Sequence, residues 1–142
     1  RVVNMERTNI RNVTPEVLAE PVEFFSVDVS FISLKHIFPV AQAVTAPGAA
    51  GVCLVKPQFE AGREKVGKKG VVREAETHRE AILQAAGYAI DNGFSVSGLE
   101  YSPIKGPEGN IEFLMFVEKS EAPTPLDPSL ADAVVAAAHA AL

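Results

Sequence analysis

Lys56 stands directly after an apolar run, Val52, Cys53, Leu54 and Val55, and directly before Pro57. Such a run reads as a buried strand that the proline stops. A lysine is seldom fully buried unless something pairs with it. Two acids occupy comparable places: Asp28 ends the run FFSVD, and Glu112 stands near the head of IEFLMFV. An amine that meets two carboxyls is a set of groups able to take up and hand on a proton. Each residue also has a plainer reading. An Asp after a strand caps the next helix, a Lys there reaches out to solvent, and a Glu at a strand start is simply exposed. Three such coincidences together favour one converging polar site.

The elements that must position these groups follow from the apolar pattern. Strands are expected at residues 1–5, 22–29, 50–56, 94–101 and 111–118. Helices are expected over residues 74–92, with Ala85, Ala86 and Ala89 facing inward and Gly93 just past the end, and over an Ala-rich tail at 129–142, opened by Asp127 and Pro128. Leu34, Ile37, Phe38, Ala41 and Val44 recur at helical spacing, with Ser30 or Ser33 as cap, Pro39 as a kink or true start, and Pro47-Gly48 as the end. Residues 8–21 read as irregular with a short helix at 15–19. Residues 60–73, rich in Gly and Lys, read as a mobile loop. Alternating strands and helices predict an α/β sheet, mostly parallel. The last two strands, joined by SPIKGPEGN with no helix between them, are expected to be antiparallel.

This topology gathers the three groups. Asp28 and Lys56 fall at the carboxyl ends of parallel strands, where open α/β sheets bind ligands. Glu112 opens a strand running the other way, so its start lies at the same edge.

Composition narrows the function classes. The chain has 142 residues, 47% of them apolar, enough for one core, and a net charge of −5. That balance argues against nucleic-acid binding by this piece on its own, although Arg63, Lys65, Lys68, Lys69 and Arg73 form a local basic stretch. The single Cys53, inside an apolar strand, reads as a buried side chain in a reducing, cytoplasmic setting. No apolar run is long enough to span a membrane, and no signal peptide is expected. His36, His78 and His139 lack ligand spacing, so no metal site is expected. The divisions expected are residues 1–120, a proline-rich linker at 121–128, and the tail helix at 129–142.

The segments ERTNIR, VDVSFISLK, LVKPQFEAGREKVGKKGVVRE and SPIKGPEGNIEFL resemble the haemolysin-A-type, FtsJ-like ribosomal RNA methyltransferases, over residues 1 to about 118. The match is to the later part of their catalytic domain. The resemblance implies a Rossmann-like methyltransferase fold that transfers a methyl group from S-adenosylmethionine to a ribose 2′-hydroxyl through a Lys-Asp-Lys-Glu tetrad. On this motif Asp28 matches the Asp, Lys56 the second Lys and Glu112 the Glu. It further implies Asn9 and Asp28 on the cofactor side, and Lys105 and Asn110 on the substrate side. Asn9 has an equal reading as a turn former, and SPIKGPEGN as a plain turn.

A lysine acts as base only when neutral, and its ordinary pKa is about 10.4. Burial lowers that value and adjacent carboxylates raise it. Asp28 and Glu112 are therefore read as positioning groups and as partners for the charge that arises when a proton reaches Lys56. The family's Gly-rich cofactor loop, its first tetrad Lys, its first two strands and its S4-type RNA-binding domain have no counterpart in these residues. The chain alone is therefore expected to bind S-adenosylmethionine weakly or not at all and to be inactive by itself. The bare sheet edge should either take in residues 2–5 or pair two chains as a homodimer. Ribosomal RNA is the expected partner of the full-length protein. Two other readings stand beside this one: a haemolysin-type membrane-active protein, and a non-catalytic dimerising module.

Overall fold

The structure, a computed structural model, describes residues 2–142. The apolar runs become strands. β1 (Val22–Val27) and β2 (Thr45–Val55) pair in parallel. A 3₁₀ turn at Leu34–His36 and helix α1 (Phe38–Val44) connect them. Ser33 caps the turn, its Oγ accepting from the Lys35 N–H at 3.0 Å. Pro39 lies in the first turn of α1, where its missing N–H costs no hydrogen bond. A single-turn helix α2 (Pro57–Glu60) follows β2 directly. Helix α3 (Ala75–Asp91) leads to β3 (Phe94–Tyr101), and Gly93 makes the exit with φ +83°. β4 (Phe113–Lys119) returns antiparallel, and α4 (Pro128–Ala141), capped by the Asp127 carboxylate, follows.

The strand order is β1-β2-β4-β3, with β4 antiparallel to both of its neighbours. The result is an open α/β sheet of mixed direction. Small residues let α3 and α4 lie close: Ala81, Ala85, Ala86 and Ala89 on one, Ala131 and Ala138 on the other, are all buried. With no side chain at Gly51, the Phe25 ring covers β2 and meets Phe94 edge-on at 5.7 Å. Phe38 of α1 meets the same ring.

Several expectations need correction. Residues 2–5 are not a strand: Val2 and Val3 are 93% and 81% exposed, and β1 has β2 as its sheet neighbour. Two valines with no strand beside them have nothing to pair with. Arg1 lies outside the described residues. α1 ends at Val44, before Pro47-Gly48, and β2 begins at Thr45. The register jumps from Val22↔Thr45 to Phe24↔Ala50, so the Pro-Gly pair lies in a bulge, with Gly48 at φ +77°. The short helix at 15–19 is a 3₁₀ turn at Pro15–Val17. The segment 60–73 is anchored rather than loose. Val71 and Val72 are buried, the Gly67 N–H donates to the Val71 carbonyl at 2.8 Å, and Lys65 pairs with Glu80 at 2.5 Å.

Candidate active site

β1 and β2 end at the edge where β4 begins, as the pairs Val27↔Cys53 and Val55↔Phe113 show. Asp28, Lys56 and Glu112 are the residues just beyond those pairs or just before them. The Lys56 Nζ donates to Asp28 Oδ1 at 2.5 Å and to Ser30 Oγ at 3.3 Å. The lysine side chain is 9% exposed and that of Asp28 70%, so the amine is enclosed while its carboxylate partner faces solvent. Glu112 is buried but makes no ion pair with Lys56. Its Oε2 accepts from Gln58 Nε2 at 3.0 Å. The structure thus joins Lys56 to Asp28 and sets Glu112 at the same edge through an intervening amide.

Helix α2 does much of the positioning. From one turn, Lys56 caps the helix and reaches Asp28, Gln58 reaches Glu112, and Phe59 packs on Phe31 with ring centroids 4.9 Å apart. Glu60 accepts from the Ser33 Oγ at 2.6 Å and the Leu34 N–H at 2.9 Å. Burial pushes the Glu60 carboxyl up, against those two hydrogen bonds. Phe31 is 89% exposed and holds φ +62°, an uncommon conformation for a non-glycine residue. Gln58, Glu60 and Phe31 were missed in the sequence reading. The string KPQFE beside Lys56 was the available signal for the first two. Nothing in the chain marks the backbone turn at Phe31.

The remaining candidates are placed differently. Asn9 is exposed and caps a 3₁₀ turn at Ile10–Asn12, its carbonyl oxygen accepting from the Arg11 N–H at 3.0 Å. Asn110, expected on the substrate side, is buried as a clasp. It accepts from the Val72 N–H at 3.0 Å and donates to the carbonyls of Gly70 and Pro107 at 2.8 and 3.0 Å. Both of its N–H groups are therefore committed to the backbone. Lys105 is exposed and borders a cavity of about 170 Å³ shared with Arg73, His78 and His139. His78 and His139, distant in sequence, meet at 2.8 Å between Nδ1 and Nε2. The largest cavity, about 330 Å³, lies elsewhere, between β1, α1 and the segment before β1, lined by Met5, Leu18, Phe25 and Val40 among others. Cys53 is buried and its thiol is pushed up to about 12, so it stays protonated and inert.

The sequence profile of the FtsJ-like methyltransferases matches residues 1–119. The chain belongs to the FtsJ-like methyltransferase family. Within that family it is 49% identical over 116 residues to the candidate rRNA methyltransferase YqxC of Bacillus subtilis, covering 81% of this chain and 41% of that protein. It is 39% identical over 117 residues to the 16S/23S rRNA (cytidine-2′-O)-methyltransferase TlyA of Mycobacterium tuberculosis, covering 82% of this chain and 44% of that one. A solved structure of a candidate hemolysin from Streptococcus thermophilus superposes with a TM-score of 0.92 at 46% identity, over 96% of this chain and 50% of that one. This FtsJ-like chain spans less than half the length of those curated relatives. Among its described residues no helix is long and apolar enough to cross a membrane.

Proposed function

We propose that this chain carries the acceptor-activating half of an S-adenosylmethionine-dependent methyltransferase that acts on a ribose 2′-hydroxyl of ribosomal RNA. The observation that carries the reading is the enclosed Lys56 amine, held 2.5 Å from Asp28 at the carboxyl edge of the sheet. A ribose hydroxyl attacks poorly until a base takes or shares its proton. Lys56 takes that proton, and Asp28 offsets the positive charge that results. Glu112, fixed by Gln58, orients the acceptor from the other side of the site. Alignment of the hydroxyl supplies the rest of the chain's contribution.

S-adenosylmethionine, when bound, supplies an electrophilic methyl group. The residues present do not form a full cradle for it: residues 1–47 contain no glycine, so no Gly-rich loop precedes β1. The wall beside β1 is the mainly apolar cavity described above, not a set of converging donors. The chain alone is expected to give no binding heat with S-adenosylmethionine in isothermal titration. Micromolar affinity would contradict this.

The catalytic assignment is tested in the full-length enzyme by methyl transfer from labelled S-adenosylmethionine to ribosomal RNA. General-base contributions run to about 10²–10⁴-fold, and Lys56→Ala should lose a factor in that range. Retention of activity by Lys56→Ala would remove the assignment.

A further inference from the structure

Gln58 presents an unusual pattern of hydrogen bonds. Its Nε2 donates to Glu112 Oε2 at 3.0 Å. Its Oε1 is buried and has no partner, and among the described residues it is the one buried side-chain nitrogen or oxygen left so. A buried carbonyl oxygen without a donor costs free energy that a fold normally avoids. Turning the amide over does not relieve it, because the oxygen would then face the Glu112 carboxylate. The contact with Glu112 therefore fixes the amide orientation. Gln58 also sits one residue from Pro57 and two from Lys56, on a helix of a single turn. Its side chain has little freedom to seek another partner.

We propose that Gln58 is a positioning residue of this site: its N–H holds the Glu112 carboxylate in place, and its buried Oε1 accepts a hydrogen bond from an N–H or O–H group of the bound RNA nucleotide. The inference rests on reading the site as a methyl-transfer centre. The nucleotide completes the polar set that the free protein leaves one donor short. Gly106 makes room for the arrangement, since a Cβ there would fall 2.2 Å from Glu112 Oε2. Glu112 is thus confined by Gly106 on one side and directed by Gln58 on the other.

Two measurements test this. In ¹⁵N–¹H spectra of the chain, the Gln58 side-chain amide should be shifted and slow to exchange, and should move to the free-amide position in Glu112→Met. An amide already at the free position in the unaltered chain overturns the contact. In the full-length enzyme, Gln58→Met should lose roughly 10–100-fold in kcat/KM, with a higher KM for RNA and an unchanged melting temperature. Gln58→Glu keeps an oxygen toward the nucleotide but sets two carboxylates together, where one proton is retained to higher pH. Its KM should stay near that of the parent enzyme while the acid limb of its pH–rate profile moves up. Superimposable profiles and rates within twofold for both variants overturn the proposal. Should parent enzyme and Lys56→Ala transfer methyl groups equally, the functional reading fails instead, and the amide spectrum still decides whether Gln58 directs Glu112.

Discussion

Gly106 is held to its identity by sterics rather than by backbone conformation. Its φ of −77° and ψ of −166° are open to any residue. What excludes a side chain is the Glu112 carboxylate, which a Cβ would meet at 2.2 Å. Glu112 is buried and tied to Gln58, so it moves only by giving up that hydrogen bond. Gly106→Ala is expected to lower methyl transfer about as far as Glu112→Gln does, while the melting temperature changes by only a few degrees. A Gly106→Ala enzyme of full activity would show that Glu112 does not need its present seat. At this scale the sequence was legible where a charge ends an apolar run: Lys56 and Asp28 were found that way, and they touch. Asn110 was misread because a motif shows residue type but not whether a side chain turns inward. Gln58 carries no charge and so raised no question until its burial was known.

Helices α3 and α4 are tied together by more than their apolar faces. Arg79 pairs with Asp132, and His78 meets His139. His78 Nε2 donates to the Val72 carbonyl at 2.9 Å, which leaves Nδ1 to accept from His139. Burial, and to a lesser degree the charge of His139, hold the His78 imidazole below the ordinary histidine value, while the Val72 carbonyl pulls it up. The unfolded chain takes up this proton near pH 6.5 and the folded chain only at lower pH. Stability present above pH 6.5 is therefore lost as the pH falls through the folded value. Thermal melts at pH 7.5 and pH 5 should show a larger loss for the unaltered chain than for His78→Gln. Equal losses would mean that His78 does not titrate in this way. Element boundaries were legible where punctuation was sharp, as for β3 between Gly93 and Ser102. Pro47-Gly48 looked like a helix end because the pair breaks either element, and only pairing with β1 shows that the strand carries it as a bulge. Residues 2–5 looked like a strand because apolar composition reports the wish to be covered and not the presence of a neighbour.

For the molecule as a whole, β1 ends the sheet with one side of its backbone free. Phe24 on that strand is 57% exposed, and an apolar cavity of about 330 Å³ opens beside it. Free strand edges recruit other strands. The isolated chain is expected to self-associate as its concentration rises, and Phe24→Lys to shift it toward monomer, as sedimentation equilibrium would read. A chain that stays monomeric at millimolar concentration would show the edge to be inert. The direction of β4 and the open α/β architecture could be inferred from connection lengths alone, because a short polar loop cannot carry a parallel crossover. What covers β1 was not legible, since it depends on a second surface that pattern within one chain does not describe.

The single turn from Lys56 to Glu60 works like the spacing of teeth on a key. Successive positions point about 100° apart around a helix axis, so each contact depends on its count from the strand end as much as on its chemistry. Replacing one of these residues should weaken one contact. Inserting or deleting one residue here would misdirect Gln58, Phe59 and Glu60 together, so length variation in relatives that keep the same chemistry should fall outside this pentapeptide.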